Sequence, residues 1–116
     1  MTNAEVMNCY EALKGISNSD VIFPVRFLFI RQKNMRILEP IASDFTTLKD
    51  ELIKKYGTSD EDGQIRVETT NSEFMKEFND LLEIENEVEL AKVSIEDIPS
   101  EMPAKVYDMI SFMVEE

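Results

Sequence analysis

Four cationic side chains, Arg26, Arg31, Lys33 and Arg36, fall within eleven consecutive positions. Guanidinium groups hold a phosphate or a carboxylate through two parallel hydrogen bonds, which an ammonium does less well. Arg26 and Lys33, seven residues apart, share one face of a helix, while Gln32 and Arg36 share another. Together the four are the candidate contacts for a phosphorylated small molecule or for the acidic surface of a partner protein. They have a plainer use as well, which is to neutralise the acidic half of this chain or of a neighbouring copy. Tyr10, Phe27 and Phe29 are placed to stack on a base beside them, although aromatic residues among aliphatic ones are more commonly core.

The carboxylates allow other chemistry. Asp60, Asp62 and Gly63 resemble the middle of a calcium loop, which needs oxygen ligands at alternate positions, a glycine sixth and a bidentate glutamate twelfth. With Gly63 sixth, Thr58 and Thr69 take the outer places, so an ordinary Asp-Gly turn is the better reading. The acids of residues 73–97 form either a solvated surface or a row that imitates the phosphates of DNA. Pairs such as Glu85 and Glu87 have the groups for acid–base work but fit adjacent exposed positions on a strand. Cys9 has no histidine to activate it, because the chain contains none, and three glycines make no phosphate loop. The expectation is a protein that is not an enzyme and uses no cofactor or metal.

Charge is divided unevenly along the chain. Residues 1–59 carry 8 basic and 7 acidic side chains, while residues 60–116 carry 4 and 17, so +1 and −13 make up the net −12. Such a protein is repelled by phosphate and anionic lipid, so direct nucleic-acid or membrane binding is not expected. A hydrophobic content of 43% excludes a disordered chain, and 116 residues suit a single domain, 1–116. One cysteine, no secretory signal and no apolar run near the ~20 residues of a membrane span point to the cytoplasm.

The elements that position these residues follow from periodicity. Thr2 and Glu5 have capping-box spacing, Val6, Tyr10 and Leu13 share a helical face, and Gly15 is placed to end that helix. Residues 21–29 are rich in strand formers, but Pro24 suits a helix start, and a stripe of Leu28, Met35, Leu38, Ala42, Phe45, Leu52 and Tyr56 runs on to Gly57. Pro40 removes one hydrogen bond at a cost of about 3 kcal/mol, so a bend or break is expected there. Unbroken, the helix would be about 50 Å long, so either it folds back or a second copy covers the part that projects. Ile65 and Val67 make a short strand and Val88–Ile95 another, with Glu85, Glu87 and Glu89 facing water. Thr70 and Glu73 cap a helix carrying Phe74, Phe78, Leu81 and Leu82, and Ser100 caps a last one carrying Val106, Met109, Ile110 and Met113. The seven methionines would fill core gaps or suit an adaptable contact surface. The fold class is α+β, mostly helical, with a long central helix bent or broken near Pro40 and a small two-stranded sheet.

Three stretches, LIKKYGTSDEDGQI from Leu52, EFNDLLEIENEVEL from Glu77 and VSIEDI from Val93, resemble small uncharacterised proteins of phages and prophages of Gram-positive bacteria. In those proteins a long helix stops at Lys-Tyr-Gly and an Asp-Gly turn, and a Phe-Asn-x-x-Leu-Leu helix and a Val-Glu-Leu strand follow. The resemblance covers residues 25–97; Pro40 and the more hydrophobic N-terminal half depart from it. It implies a viral accessory protein in a bacterial host and transfers no site residue. The reading is therefore a non-enzymatic binding protein that forms a homo-oligomer and binds a host or phage protein or a phosphorylated small molecule: an antagonist of host defence that blocks a protein surface or sequesters a nucleotide-like signal. The alternatives are a tail or head assembly factor and an acidic DNA mimic.

Overall fold

The structure, a computed structural model, describes residues 1–59, 61, 63–68 and 71–115. Its first helix, α1 (Asn3–Gly15), opens with the expected capping box: Glu5 N–H donates to Thr2 Oγ1 at 3.2 Å, and Thr2 N–H donates to Glu5 Oε1 at 3.0 Å. Val6 and Leu13 are fully buried and Tyr10 partly so. Gly15 does not stop the helix in the left-handed way. Its φ is ordinary at −64°, and the chain continues into a 3-10 turn, Ile16–Asn18. A Cβ on Gly15 would lie 2.8 Å from Met109 Cε, the mobile end of a methionine side chain, so Gly15 packs closely under the C-terminal helix.

The long helix α2 (Val25–Tyr56) starts after Pro24, as the sequence predicts, and is a single element of 32 residues. Pro40 does not divide it or fold it back. Arg36 and Pro40 are both exposed, so water can serve the carbonyl that loses its N–H. The buried face is Phe27, Asn34, Leu38, Ala42 and Phe45. At the start of the stripe Phe27 replaces Leu28, which is 45% exposed, because Phe27 stacks on Phe23 with ring centroids 4.2 Å apart. Gly57 closes α2 by donating its N–H to Ile53 O at 2.7 Å, and a side chain there would collide with Ile65.

The short strands form two separate pairs. β1 (Thr58–Ser59) and β2 (Ile65–Arg66) are antiparallel, and Gly63 between them has φ +79°. Of the expected strand Val88–Ile95 only β3 (Val93–Ser94) forms, and it lies parallel to β4 (Val114–Glu115) at the C-terminal end and not beside β2. Asp60 and Asp62 of the turn and Thr69 and Thr70 lie outside the described residues. The cap of α3 (Ser72–Leu82) is Asn71, whose side chain accepts from Phe74 N–H at 3.0 Å. The last helix, α4 (Ala104–Ile110), begins after Pro103 rather than at Ser100, since proline fixes φ at −56° and leaves ψ extended. Val106, Ile110 and Met113 are buried as expected.

Two packed regions share α2. The main core joins Val6, Leu13, Phe27, Leu38, Val93 and Ile110. At the other end Phe45, Tyr56, Phe74 and Phe78 form an aromatic cluster with centroid separations of 5.8–6.3 Å. The molecule measures 51 × 32 × 21 Å, and its radius of gyration is 17.5 Å. A compact chain of this length would have about 13 Å, so the distal half of α2 projects from the main core.

Asn34, fully buried on the core face of α2, accepts from Ala91 N–H at 2.8 Å and donates to Ala91 O at 3.0 Å. Asn34→Ala would strand both backbone groups. Chemical denaturation is expected to show a loss of about 2–4 kcal/mol, well beyond that of a surface change such as Gln32→Ala.

Candidate functional site

The four cations predicted as a site are placed differently from one another. Arg31 is half-buried, and its Nε donates to Leu13 O at 2.8 Å in the last turn of α1, where a helix has unpaired carbonyls and a negative dipole end. It serves the fold. Arg26, Lys33 and Arg36 are exposed and make no ion pair with another described residue. Arg26 lines a shallow groove with Val25 and Phe29, and across it stand Lys92, Asp97 and Glu115. Lys33 and Arg36 point roughly 60° apart round the helix, so the cations line a helix face and do not converge on one ligand. Of the aromatics, Phe27 is core, whereas Phe29 is 69% exposed.

The acidic residues make a better defined feature. After α3 the chain from Ile84 to Lys92 belongs to no helix or strand apart from a single bridge between Glu85 and Thr2, and it is fastened at both ends. At the first end Asn3 N–H donates to Ile84 O at 2.9 Å, Asn3 Nδ2 donates to Leu81 O at 2.8 Å, and Asn86 N–H donates to Met1 O at 2.7 Å. Asn86 Nδ2 also reaches Asn3 Oδ1 at 2.9 Å. Asn34 and Ala91 form the other fastening. Between them Val88 and Leu90 pack against the core while Glu85, Glu87 and Glu89 are exposed. Glu85 lies 3.5 Å from the N-terminal ammonium but stays 74% exposed. None of the backbone groups of residues 87–90 has a hydrogen bond to another described residue. The result is a row of carboxylates on a segment held at both ends, with the backbone groups of residues 87–90 left unpaired among the described residues.

A third feature, which the sequence did not reveal, is a cleft of about 490 Å³ between distal α2 and α3. Leu48, Leu52, Leu81 and Ile84 give it an apolar floor, with Glu51 and Asp80 also lining it. Leu48 and Ile84 are 45% and 50% exposed. At one end Lys55 Nζ lies 3.5 Å from Glu77 Oε1. The hydrogen bond to the Glu77 carboxylate, and then burial, hold the Tyr56 hydroxyl above the usual phenol range. Hydrogen bonding to Tyr56, followed by attraction to Glu77, raises the Lys55 ammonium in turn. Leu48 and Leu52 are one turn apart, and so are the cleft positions on α3, but only their juxtaposition in space makes a cleft.

Among the described residues no cluster of three His, Cys, Asp or Glu side chains is arranged to hold a metal ion. No helix among them is long and apolar enough to cross a membrane. No protein-family model matches this chain, and no curated protein or solved structure is significantly similar to it.

Cys9 is buried, and burial followed by the nearby Glu5 carboxylate pushes its thiol pKa up. An acid whose pKa is raised on folding keeps its proton longer in the native state, so stability should fall as pH rises above the unfolded value of about 8.5. Cys9→Ala should flatten that part of the pH–stability curve. In the native protein Cys9 should react with a thiol reagent far more slowly than free cysteine at the same pH, and at the ordinary rate in denaturant.

Proposed function

We propose that this chain is a non-enzymatic binding protein, and that its working surface is the row Glu85, Glu87 and Glu89. In the viral setting that the family resemblance implies, it antagonises a host defence system from within the bacterial cytoplasm by covering a cationic protein surface. The observation that carries this reading is the double fastening of an exposed acidic segment. Because Asn3, Asn86 and Asn34 already hold the backbone, a partner would lose little freedom in ordering it. The backbone groups of residues 87–90, unpaired among the described residues, add main-chain donors and acceptors that an extended segment of a partner can meet.

Two narrower versions have less support. Alternate residues of a strand are about 6.8 Å apart, whereas each strand of DNA places a charge every ~3.4 Å along the axis, so this row is sparser than a phosphate row. Sequestering a nucleotide-like signal needs cations that converge, and Arg31 is engaged with Leu13. A second reading, an assembly factor that holds a tail or head protein, is favoured by the exposed apolar cleft between α2 and α3.

Capture from infected cells, with tagged wild type beside the Glu85→Gln, Glu87→Gln, Glu89→Gln triple variant, separates these readings. The antagonist reading expects a host protein whose binding weakens about tenfold in the triple variant and falls with added salt, at unchanged thermal stability. A virion protein retained by the triple variant and lost on Leu48→Lys would instead establish the assembly reading.

A further inference from the structure

One face of α2 is written the same way from both ends. Arg26, Phe29, Lys33, Ile37, Pro40, Asp44, Leu48 and Glu51 follow one another at steps of 3, 4, 4, 3, 4, 4 and 3 residues. Steps of 3 and 4 keep side chains on one side of a helix, and these eight fall within an arc of roughly 100°. The middle of that arc lies roughly 110° round the helix from the buried face of Phe27, Asn34, Leu38 and Phe45. Seven of the eight residues are exposed, with Phe29 at 69% and Leu48 at 45%. Ile37 is half-exposed and does not belong to the core cluster.

The chemistry reverses where the spacing mirrors. The first half of the face reads cation, apolar, cation, apolar, and the second reads apolar, anion, apolar, anion. We infer that this face binds a second copy of the chain, with the two α2 helices antiparallel about a two-fold axis passing between Leu38 and Glu39. In that register Arg26 meets the second copy's Glu51, Phe29 meets Leu48, Lys33 meets Asp44, and Ile37 meets Pro40, each twice by symmetry. Every cation then faces an anion and every apolar residue an apolar one. A parallel arrangement would set Arg26 against Arg26 and Glu51 against Glu51.

The remaining geometry agrees. The cleft beside Leu48 is apolar on its floor and is lined by the acids Glu51 and Asp80, which suits an incoming turn carrying Phe29 and Arg26. The distal half of α2, which projects from the main core, would be covered by the N-terminal half of the other α2. The acidic residues 85–89 take no part in this pairing, so it is independent of the proposed working surface.

Sedimentation of the full chain across a concentration series tests the inference. The wild type is expected to reach twice the 13.4 kDa of one chain, with an affinity that weakens as salt is added. Lys33→Glu and Asp44→Lys, both at exposed positions, should each weaken dimerisation by about tenfold or more, because each places two like-charged contacts in the interface. An equimolar mixture of the two variants should recover dimers, since Glu at position 33 then faces Lys at position 44, and this recovery also shows that both variants fold. A monomer at every concentration overturns the inference, as does a dimer that neither reversal weakens or a mixture that fails to recover.

Discussion

A single buried amide governs what this protein shows to its surroundings. Asn34 sits fully buried in the middle of the core face of α2, where an unpaired amide would cost about 1–3 kcal/mol for each unsatisfied group. It exchanges hydrogen bonds with the N–H and carbonyl of Ala91, which must therefore lie at a fixed height along the helix, and its Nδ2 also donates to Met113 Sδ at 3.4 Å. Once Ala91 is fixed, the alternating burial of the preceding residues follows. Val88 and Leu90 turn to the core, and Glu85, Glu87 and Glu89 turn outward. A shift of one residue would bury three carboxylates, so the clamp and the hydrophobic pattern enforce the same register. The arrangement at the opposite end, through Asn3 and Asn86, brings the N-terminus into the same constraint.

The cations are spent in a different way. A chain with a net charge of −12 repels itself, and its few basic groups have most effect where they do structural work. Arg31 does this by meeting a carbonyl at the end of α1, which ties α1 to α2 at the main core. Lys55 does it at the far end, beside Tyr56 and Glu77, where α2 meets α3. Arg26, Lys33 and Arg36 make no ion pair with another described residue, so the N-terminal half of α2 presents free positive charge to solvent.

Local chemistry was the part of the fold that the sequence conveyed. The capping box of Thr2 and Glu5, the start of α2 after Pro24, its end at Gly57 and the inward set Val106, Ile110 and Met113 depend on neighbours within a turn or two. Features that depend on distant residues were not legible. Gly15 reads as a helix end, and its close contact with the tip of Met109, far along the chain, is encoded by no local pattern. Pro40 reads as a break because the residue's cost is local, whereas its tolerance comes from solvent on its side of α2. Asn34 reads as a polar interruption of an apolar stripe, and its partner Ala91 has no side chain to advertise the bond. For the site, the outward glutamates were legible from alternation; the fastening that turns them into a held surface, and the cleft beside α3, were not.

Length is the property that joins these observations. A helix of 32 residues is about 48 Å long, close to the 51 Å of the whole molecule, so α2 is the axis of the fold. One end carries the main core and, through Asn34, the acidic row; the other carries the aromatic cluster and the cleft. With two such axes paired antiparallel, each assembly would hold two acidic rows related by a two-fold axis. A partner with a symmetric or repeated cationic surface would then meet both rows at once, and the second contact would form at the high effective concentration set by a rigid scaffold. On that geometry, self-pairing along α2 and recognition through residues 85–89 reinforce each other without sharing a side chain.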